Sequence, residues 1–389
     1  MPNLLRNKYS AAARAKRIRN ISASPRQVLL LGGGHAHVEV LRRFRMAPVR
    51  GAGITLISPH QHATYSGMLP GWVAGHYKRA ECCIDLAALC GPGIRLHGSA
   101  ARHIDAARKR VLCEDGSEHS YDLLSVDVGS VSALDGIVGA GEAGVRVKPM
   151  EFGHVEDLAG RMARGEARRI VIVGGGAAGV ELCLALRHRT GRGKVHPEFH
   201  LVIASNTMLE GHNLIARMLV RRSLAQVRVH LGKQVVRATE RSLHFLGGGT
   251  LEFDALIWAT GAAAPAWLAT SGLMLDARGF ILVDEHLQSV SHASVFAAGD
   301  VASMRHHTIP KSGVYAVRQG PLLAENLRRA LHGQTLQRYT PQARALALIS
   351  TGPRHAIAAW GPLAWSGAWV WRWKDAIDRR FVERYREPR

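Results

Sequence analysis

Residues 31–39 read LGGGHAHVE, and the fold depends on how that stretch is understood. The apolar run VLLL at 28–31 enters Gly32, Gly33 and Gly34, and VEVLRRF at 38–44 leaves them with a helical spacing of apolar residues. That order predicts a strand, a tight turn and a helix. In a G-x-G-x-x-G turn the first glycine makes the bend, the second lets the backbone approach a pyrophosphate, and the third lets the helix pack on the strand. Here His37 stands at the third position. With 41 glycines in 389 residues, one imperfect match decides nothing.

Its echo downstream decides. Residues 169–181 read RIVIVGGGAAGVE, in which Gly174, Gly176 and Gly179 complete the pattern. Aligning the two stretches puts 32–34 on 174–176, His37 on Gly179, and Val38 and Glu39 on Val180 and Glu181. A second pair follows at similar distances, YDLLSVDVGS at 121–130 and FDALIWATGA at 253–262. A repeat of strand, glycine turn, helix and closing strand means two nucleotide-binding units in one chain. In each, a pyrophosphate would rest on free N–H groups at the positive end of a helix. The cradle residues are then Gly32, Gly33, Gly34, His35 and Ala36 with Gly129 on the closing segment, and Gly174, Gly176, Ala177 and Gly179 with Gly261. Since the third glycine serves packing, His37 is expected to loosen that packing and leave the cradle intact.

Composition frames this reading. The chain is long enough for two domains, and at 47% hydrophobic and 21% charged it is globular. Its apolar runs fall short of the roughly 20 residues that span a bilayer. The formal charge of +21 favours anionic partners. Residues 1–24 are basic, read as a disordered extension, with an Arg, Ala and Ser bias like that of a transit peptide as the alternative. The five cysteines show no C-x-x-C spacing and read as reduced cytosolic thiols. No nucleic-acid-binding module is recognisable, so no nucleic acid is expected as partner.

A third motif completes an ordered set: SVFAAGDVAS at 294–303, an apolar strand ending in Gly299 and Asp300. Over about residues 26–340 the sequence resembles the flavoproteins of the pyridine nucleotide–disulfide oxidoreductase superfamily, which bind two dinucleotides. The resemblance implies an α/β fold with two Rossmann-like domains. It places FAD on the first turn, NADH or NADPH on the second, and Asp300 against the ribityl chain. Read from the residues alone, Asp300 is a helix N-cap, and both roles can hold together. The layout expected is an FAD-binding domain at 25–148 and 272–342, an NAD(P)H-binding domain at 149–271, and a C-terminal cap or membrane-contact element at 343–389.

Within that superfamily, the segment SPHQHATYSGMLPGWVAGHY at 58–77 has no cysteine where disulfide reductases carry their redox pair, and no cysteine follows Cys183. Direct transfer remains, from NAD(P)H through flavin to an acceptor. IPKSGVYAVRQGPLLAENL at 309–327 resembles the quinone-side segment of type II NADH dehydrogenases, which makes Lys311 and Gln319 candidates beside flavin and quinone. Glu181 matches a Glu beside the nicotinamide in related quinone reductases. Its internal mate Glu39 offers the plainer account, an acid offsetting a helix dipole. Nearly the whole chain after residue 25 is similar to a bacterial subgroup, some of whose members are fused ahead of selenophosphate synthetase. A soluble reductase or redox partner acting on a protein or a selenium compound is therefore the alternative. The acid expected to read a ribose is replaced near Ser58 and Ser205, so NADH against NADPH stays open.

Five of the eight tryptophans lie in residues 360–389. If 365–384 is helical, Trp365, Trp369, Trp373, Ile377 and Phe381 share a face, as suits a bilayer surface. A cover over the flavin domain or a homodimer seam would show the same period. The protein is thus expected in the cytoplasm, with peripheral attachment to the inner face of the membrane if that face meets lipid. The pairs His35/His37, His60/His62 and His306/His307 lack a third ligand in view, so no metal is expected.

Overall fold

The computed structural model describes residues 25–149, 152–191, 193 and 195–386. The extension at 1–24 lies outside the described residues. Two five-stranded sheets dominate, and both are parallel throughout. The first runs in the order Val295–Ala297, Leu123–Val126, Arg26–Leu31, Ala52–Ile57 and Ile94–His97. The second runs Val145–Arg146, Ala255–Trp258, Arg169–Val173, Glu198–Val202 and Arg228–His230. The predicted repeat is thus realised strand for strand, with the closing segments YDLLSVDVGS and FDALIWATGA beside the central strands.

Central strands buried on both faces need apolar side chains throughout. Val28, Leu30 and Leu31 in one unit and Ile170, Val171 and Ile172 in the other are fully buried. Each glycine turn leaves the carboxyl end of its central strand, where the chain goes first to one side of the sheet and later to the other. Such a switch point opens a crevice. Each unit also carries a three-stranded antiparallel sheet between its outer and closing strands: Ala101–Asp105, Arg110–Cys113 and Glu118–Ser120 in the first, Val235–Ala238, Ser242–Phe245 and Thr250–Glu252 in the second. After the second unit the chain returns, and Val295–Ala297 joins the first sheet beside Leu123–Val126.

The helix Gly313–Leu331 then lies along the helix His35–Met46. They meet closely at Gly320, where a Cβ would stand 2.8 Å from the Cβ of Glu39 and 3.1 Å from the Ala36 carbonyl oxygen. A last antiparallel sheet, Ala347–Ser350, Ala356–Trp360 and Leu363–Gly367, leads into the terminal helix Ala368–Arg386.

The terminal tryptophans require a correction. Trp365 lies on a strand, and the helix starts only at Ala368. A four-residue step overshoots a helical turn by about 40°, so Phe381 is rotated about 120° from Trp369. Trp369, Trp373 and Ile377 stay exposed, whereas Phe381 is buried with Val370, Trp371, Val382 and Tyr385. One helix therefore does two things: it covers the core with one face and leaves aromatic side chains on the other.

Candidate functional site

Gly32 has φ +87°, and a Cβ there would lie 2.4 Å from the Asp127 carbonyl oxygen. The bend therefore requires glycine. His37 does not loosen the packing below it. Its ring is buried, with Nδ1 2.7 Å from the Gly32 carbonyl oxygen and Nε2 2.8 Å from Ser125 Oγ. A carbonyl can only accept, so Nδ1 carries the proton and Nε2 accepts from the Ser125 hydroxyl. Burial holds this imidazole neutral, lowering its pKa to about 4. In the second unit a Cβ on Gly179 would stand 2.0 Å from the Gly174 carbonyl oxygen. Both third positions thus touch the first glycine's carbonyl, one by close packing and one by a hydrogen bond.

Asp127 went unnoticed in the sequence. Its internal mate is Ala259, yet its carboxylate Oδ2 accepts from the backbone N–H groups of Ala36 at 2.8 Å and His37 at 3.0 Å. It caps the first helix from the closing strand, directly beneath Gly34 and Gly299, whose added Cβ atoms would lie 2.3 and 2.5 Å from it. Burial raises its pKa to about 7, against the two N–H groups and helped by Asp300.

A groove of about 2840 Å³ joins the two turns. That exceeds the several hundred Å³ of an ordinary small-molecule pocket and leaves room for two dinucleotides. His35 Nε2 and Thr260 Oγ1 are buried in its walls without a hydrogen-bond partner among the described residues. Gly129, Gly176 and Gly261 face open space there. Unpaired polar atoms beside two helix N-termini fit the phosphates and rings of a dinucleotide on each side.

Between the turns stand the candidates. The Asp300 carboxylate accepts from Ser130 Oγ and Lys148 Nζ, both at 3.0 Å. Lys148 was not foreseen because its partner lies 152 residues away. Lys311 Nζ donates to the Ala302 carbonyl at 2.5 Å and sits 3.8 Å over the Phe280 ring. Burial lowers its pKa to about 8, against Asp300 and Asp276. Gln319 departs from expectation. It is buried, and its Oε1 accepts from the Gly299 N–H at 2.7 Å. It braces the turn that carries Asp300, while Val314, Val317 and Arg318 of the same helix line the groove.

Glu181 lines the groove, and Glu39 does not. Burial acts to raise the Glu39 pKa, but Arg42, Arg43 and Tyr385 hold it below the ordinary value. Burial raises Glu181 to about 7, with Lys374 and the Ser350 N–H opposing. Lys374 comes from the terminal helix, buried, with Nζ 2.5 Å from the Gly67 carbonyl oxygen and 2.6 Å from Asp378 Oδ2. Phe381 stacks on Tyr65 with ring centroids 4.3 Å apart, and both flank His35. The last helix therefore completes the groove's wall.

Two nucleotide cradles facing one groove, with titratable side chains between them, define a dinucleotide-dependent oxidoreductase. The chain belongs to the pyridine nucleotide-disulphide oxidoreductase family, whose sequence profile matches residues 26–320. Members of that family are FAD-dependent and bind NAD(P)H. An NADH dehydrogenase-like protein of Mycobacterium tuberculosis is 28% identical over 239 residues, 58% of this chain and 60% of the relative. The match therefore spans about three fifths of that relative's length. A demethylphylloquinone reductase of Synechocystis is 24% identical over 94% of this chain and 93% of its own. The NDH2 structure from Plasmodium falciparum in complex with NADH superposes with a TM-score of 0.78 at 13% identity, covering 94% of this chain and all of that one. That likeness shows a common fold.

Proposed function

We propose that this protein is an FAD-dependent NAD(P)H:quinone oxidoreductase that works without a redox disulfide and rests on a membrane surface. The observation that carries the reading is the single groove: both cradles open into it, and Glu181 lines it with a pKa raised to about 7. The full-length similarity to a demethylphylloquinone reductase supports a quinone as acceptor. The first turn would hold FAD, with His35 in the pyrophosphate cradle and Asp300 and Lys148 toward its polyol chain. The second, from Gly174 to Gly179, would hold NAD(P)H. When bound, FAD supplies a two-electron relay between nicotinamide and acceptor.

The chain's own residues supply protons and orientation. Reducing a quinone takes up two protons with the two electrons, and a carboxyl titrating near pH 7 can hold and deliver one. Lys374 and Asp378 anchor the far wall and bias Glu181 electrostatically. A Glu181→Gln variant should keep its FAD and lose quinone turnover by about 10²-fold. In the parent protein turnover should fall as pH rises through about 7, because the donor is then ionised, and the variant should lack that limb. A steady-state screen of NADH and NADPH against several quinones checks both points. FAD-loaded protein that neither nucleotide bleaches anaerobically would overturn the assignment.

Among the described residues no helix is long and apolar enough to cross a membrane. Nine of the exposed large apolar side chains instead lie on four elements that contact one another. Trp360, Leu363, Trp365, Trp369, Trp373 and Ile377 are joined by Leu214, Ile215 and Met218 of the helix Leu214–Ser223. Asn213 ties that helix in place, its Nδ2 donating to the carbonyls of Gly361 and Leu363 at 2.9 and 3.0 Å. Arg221, Arg222, Arg372 and Arg380 are exposed on the same two helices. Tryptophans beside arginines suit an anionic bilayer surface. Anionic vesicles should carry the protein upward in a flotation gradient, and the Trp369→Ser/Trp373→Ser variant should stay at the bottom. Parent protein that ignores vesicles would leave the acceptor to be a soluble one.

A further inference from the structure

We infer that His97, Cys113, Asp115 and His119 form a zinc site where the edge of the first parallel sheet meets the antiparallel sheet of the first unit. His97 ends the strand Ile94–His97, Cys113 ends Arg110–Cys113, His119 lies within Glu118–Ser120, and Asp115 sits in the turn between the last two. Their sequence spacing shows no ligand pattern, and the expectation of no metal rests instead on the pairs His35/His37, His60/His62 and His306/His307. The fold brings the donors together: one ligand atom each from His97, Cys113 and His119 lie within 4.8 Å of one another. Asp115 Oδ2 is 3.0 Å from His97 Nε2.

The centre of the set is marked by the Ser117 hydroxyl. Its oxygen lies 2.9 Å from His97 Nε2, 3.2 Å from His119 Nε2 and 2.7 Å from Asp115 Oδ1. Two imidazoles and a carboxylate therefore converge on one point with the Cys113 thiol within 4.8 Å of both imidazoles, and two imidazoles with a thiolate are donors Zn²⁺ takes in a tetrahedral site. With Zn–N of about 2.0 Å and Zn–S of about 2.3 Å, ligands stand roughly 3.3–3.5 Å apart. Closing the set takes about 1 Å of side-chain movement and a rotation of Ser117. Binding would displace the Cys113 proton to solvent, leaving the thiolate on the metal.

The second unit supplies an internal control. Its matching hairpin has the same length and the same closing bond, Phe245 N–H to the Gly249 carbonyl where the first has Cys113 N–H to the Ser117 carbonyl. There Phe245, Gly247, Gly249 and Leu251 occupy the positions of Cys113, Asp115, Ser117 and His119. The hairpin therefore closes without Cys113, Asp115, Ser117 or His119, so the turn itself does not require these side chains. Cys113 is fully buried, while His97 and His119 are half-buried and Asp115 is exposed, leaving a path for an ion from one side.

The test uses the FAD-loaded full chain, stripped with a chelator and then equilibrated with ZnCl₂, or with CoCl₂ as a spectroscopic probe. The parent should bind one more equivalent of zinc than Cys113→Ser or His119→Leu, the latter carrying the residue its internal mate already tolerates. Cobalt should give tetrahedral d–d bands in the red, beyond flavin absorption, and both variants should lose them at unchanged FAD content. Equal zinc uptake by parent and variants, or cobalt bands that survive Cys113→Ser, would overturn the site.

Discussion

A Gly179→Val protein should retain its FAD and lose reduction by NADH and NADPH by at least about 100-fold. The added Cβ would fall 2.0 Å from the Gly174 carbonyl oxygen and 3.1 Å from its carbon, both atoms of the nucleotide-binding turn itself. Backbone cannot swing aside as a side chain can, so the helix must back away from the strand or the turn must shift. A displacement of about 1 Å suffices to cost 10²-fold when reacting groups must be held in register. The first unit, proposed to hold FAD, is a separate sheet and serves as the internal control for folding. The matching change in the first unit should act in the opposite sense. His37→Gly would strip partners from the Gly32 carbonyl and the Ser125 hydroxyl and open a cavity, costing about 2–4 kcal/mol and the bound flavin. The visible spectrum after purification and anaerobic stopped-flow bleaching read both outcomes. A Gly179→Val protein that bleaches at the parent rate would remove the second turn from the nicotinamide site.

The affinity for FAD should be highest below about pH 7 and fall as pH rises above it, and Asp127→Asn should abolish that dependence. Asp127 is buried beneath the first cradle with a pKa raised from an ordinary 3.8 to about 7. A carboxyl whose folded pKa lies above its unfolded value stabilises the fold fully below about 3.8, and that contribution is lost as pH rises through about 7. Once ionised, it also opposes the pyrophosphate that would share the same helix N-terminus. Bound FAD must then push the pKa higher still, and each unit of further shift is tenfold in affinity between the two pKa values. Asparagine keeps an oxygen for the Ala36 and His37 N–H groups and carries no charge at any pH. Dissociation constants from flavin fluorescence between pH 6 and 9 would decide, with parallel curves for parent and variant counting against the role. The range is wide enough, roughly one decade per unit, for the effect to stand clear of general unfolding.

Much of the architecture was legible because it rests on patterns a chain must repeat to build two parallel sheets. Apolar strands entering glycine turns recur at 28–34 and 170–176, and the closing segments at 121–130 and 253–262 recur with them. Asp300 was legible at the end of its apolar strand, whereas the offset of Glu181 from its turn was not enough, since Glu39 has the same offset and does not line the groove. Gln319 was misread because helical phase is set by packing: the Gly320 contact with the first helix turns that side chain inward, toward Gly299. The terminal tryptophans were placed on one long face because the strand Leu363–Gly367 has no local signal to set it apart from the helix that follows.

What the amino-acid order determined by itself is the pair of strand, glycine-turn and helix units, because backbone conformation at glycine and the alternation of strand and helix are local properties. What only the tertiary structure decided is what stands around them. Lys148 reaches Asp300 across 152 residues, Asp127 caps a helix 91 residues earlier, and Lys374 arrives from the last helix to face Glu181. Charges buried in a groove feel whatever the fold brings within a few ångströms, and chain separation does not enter that distance.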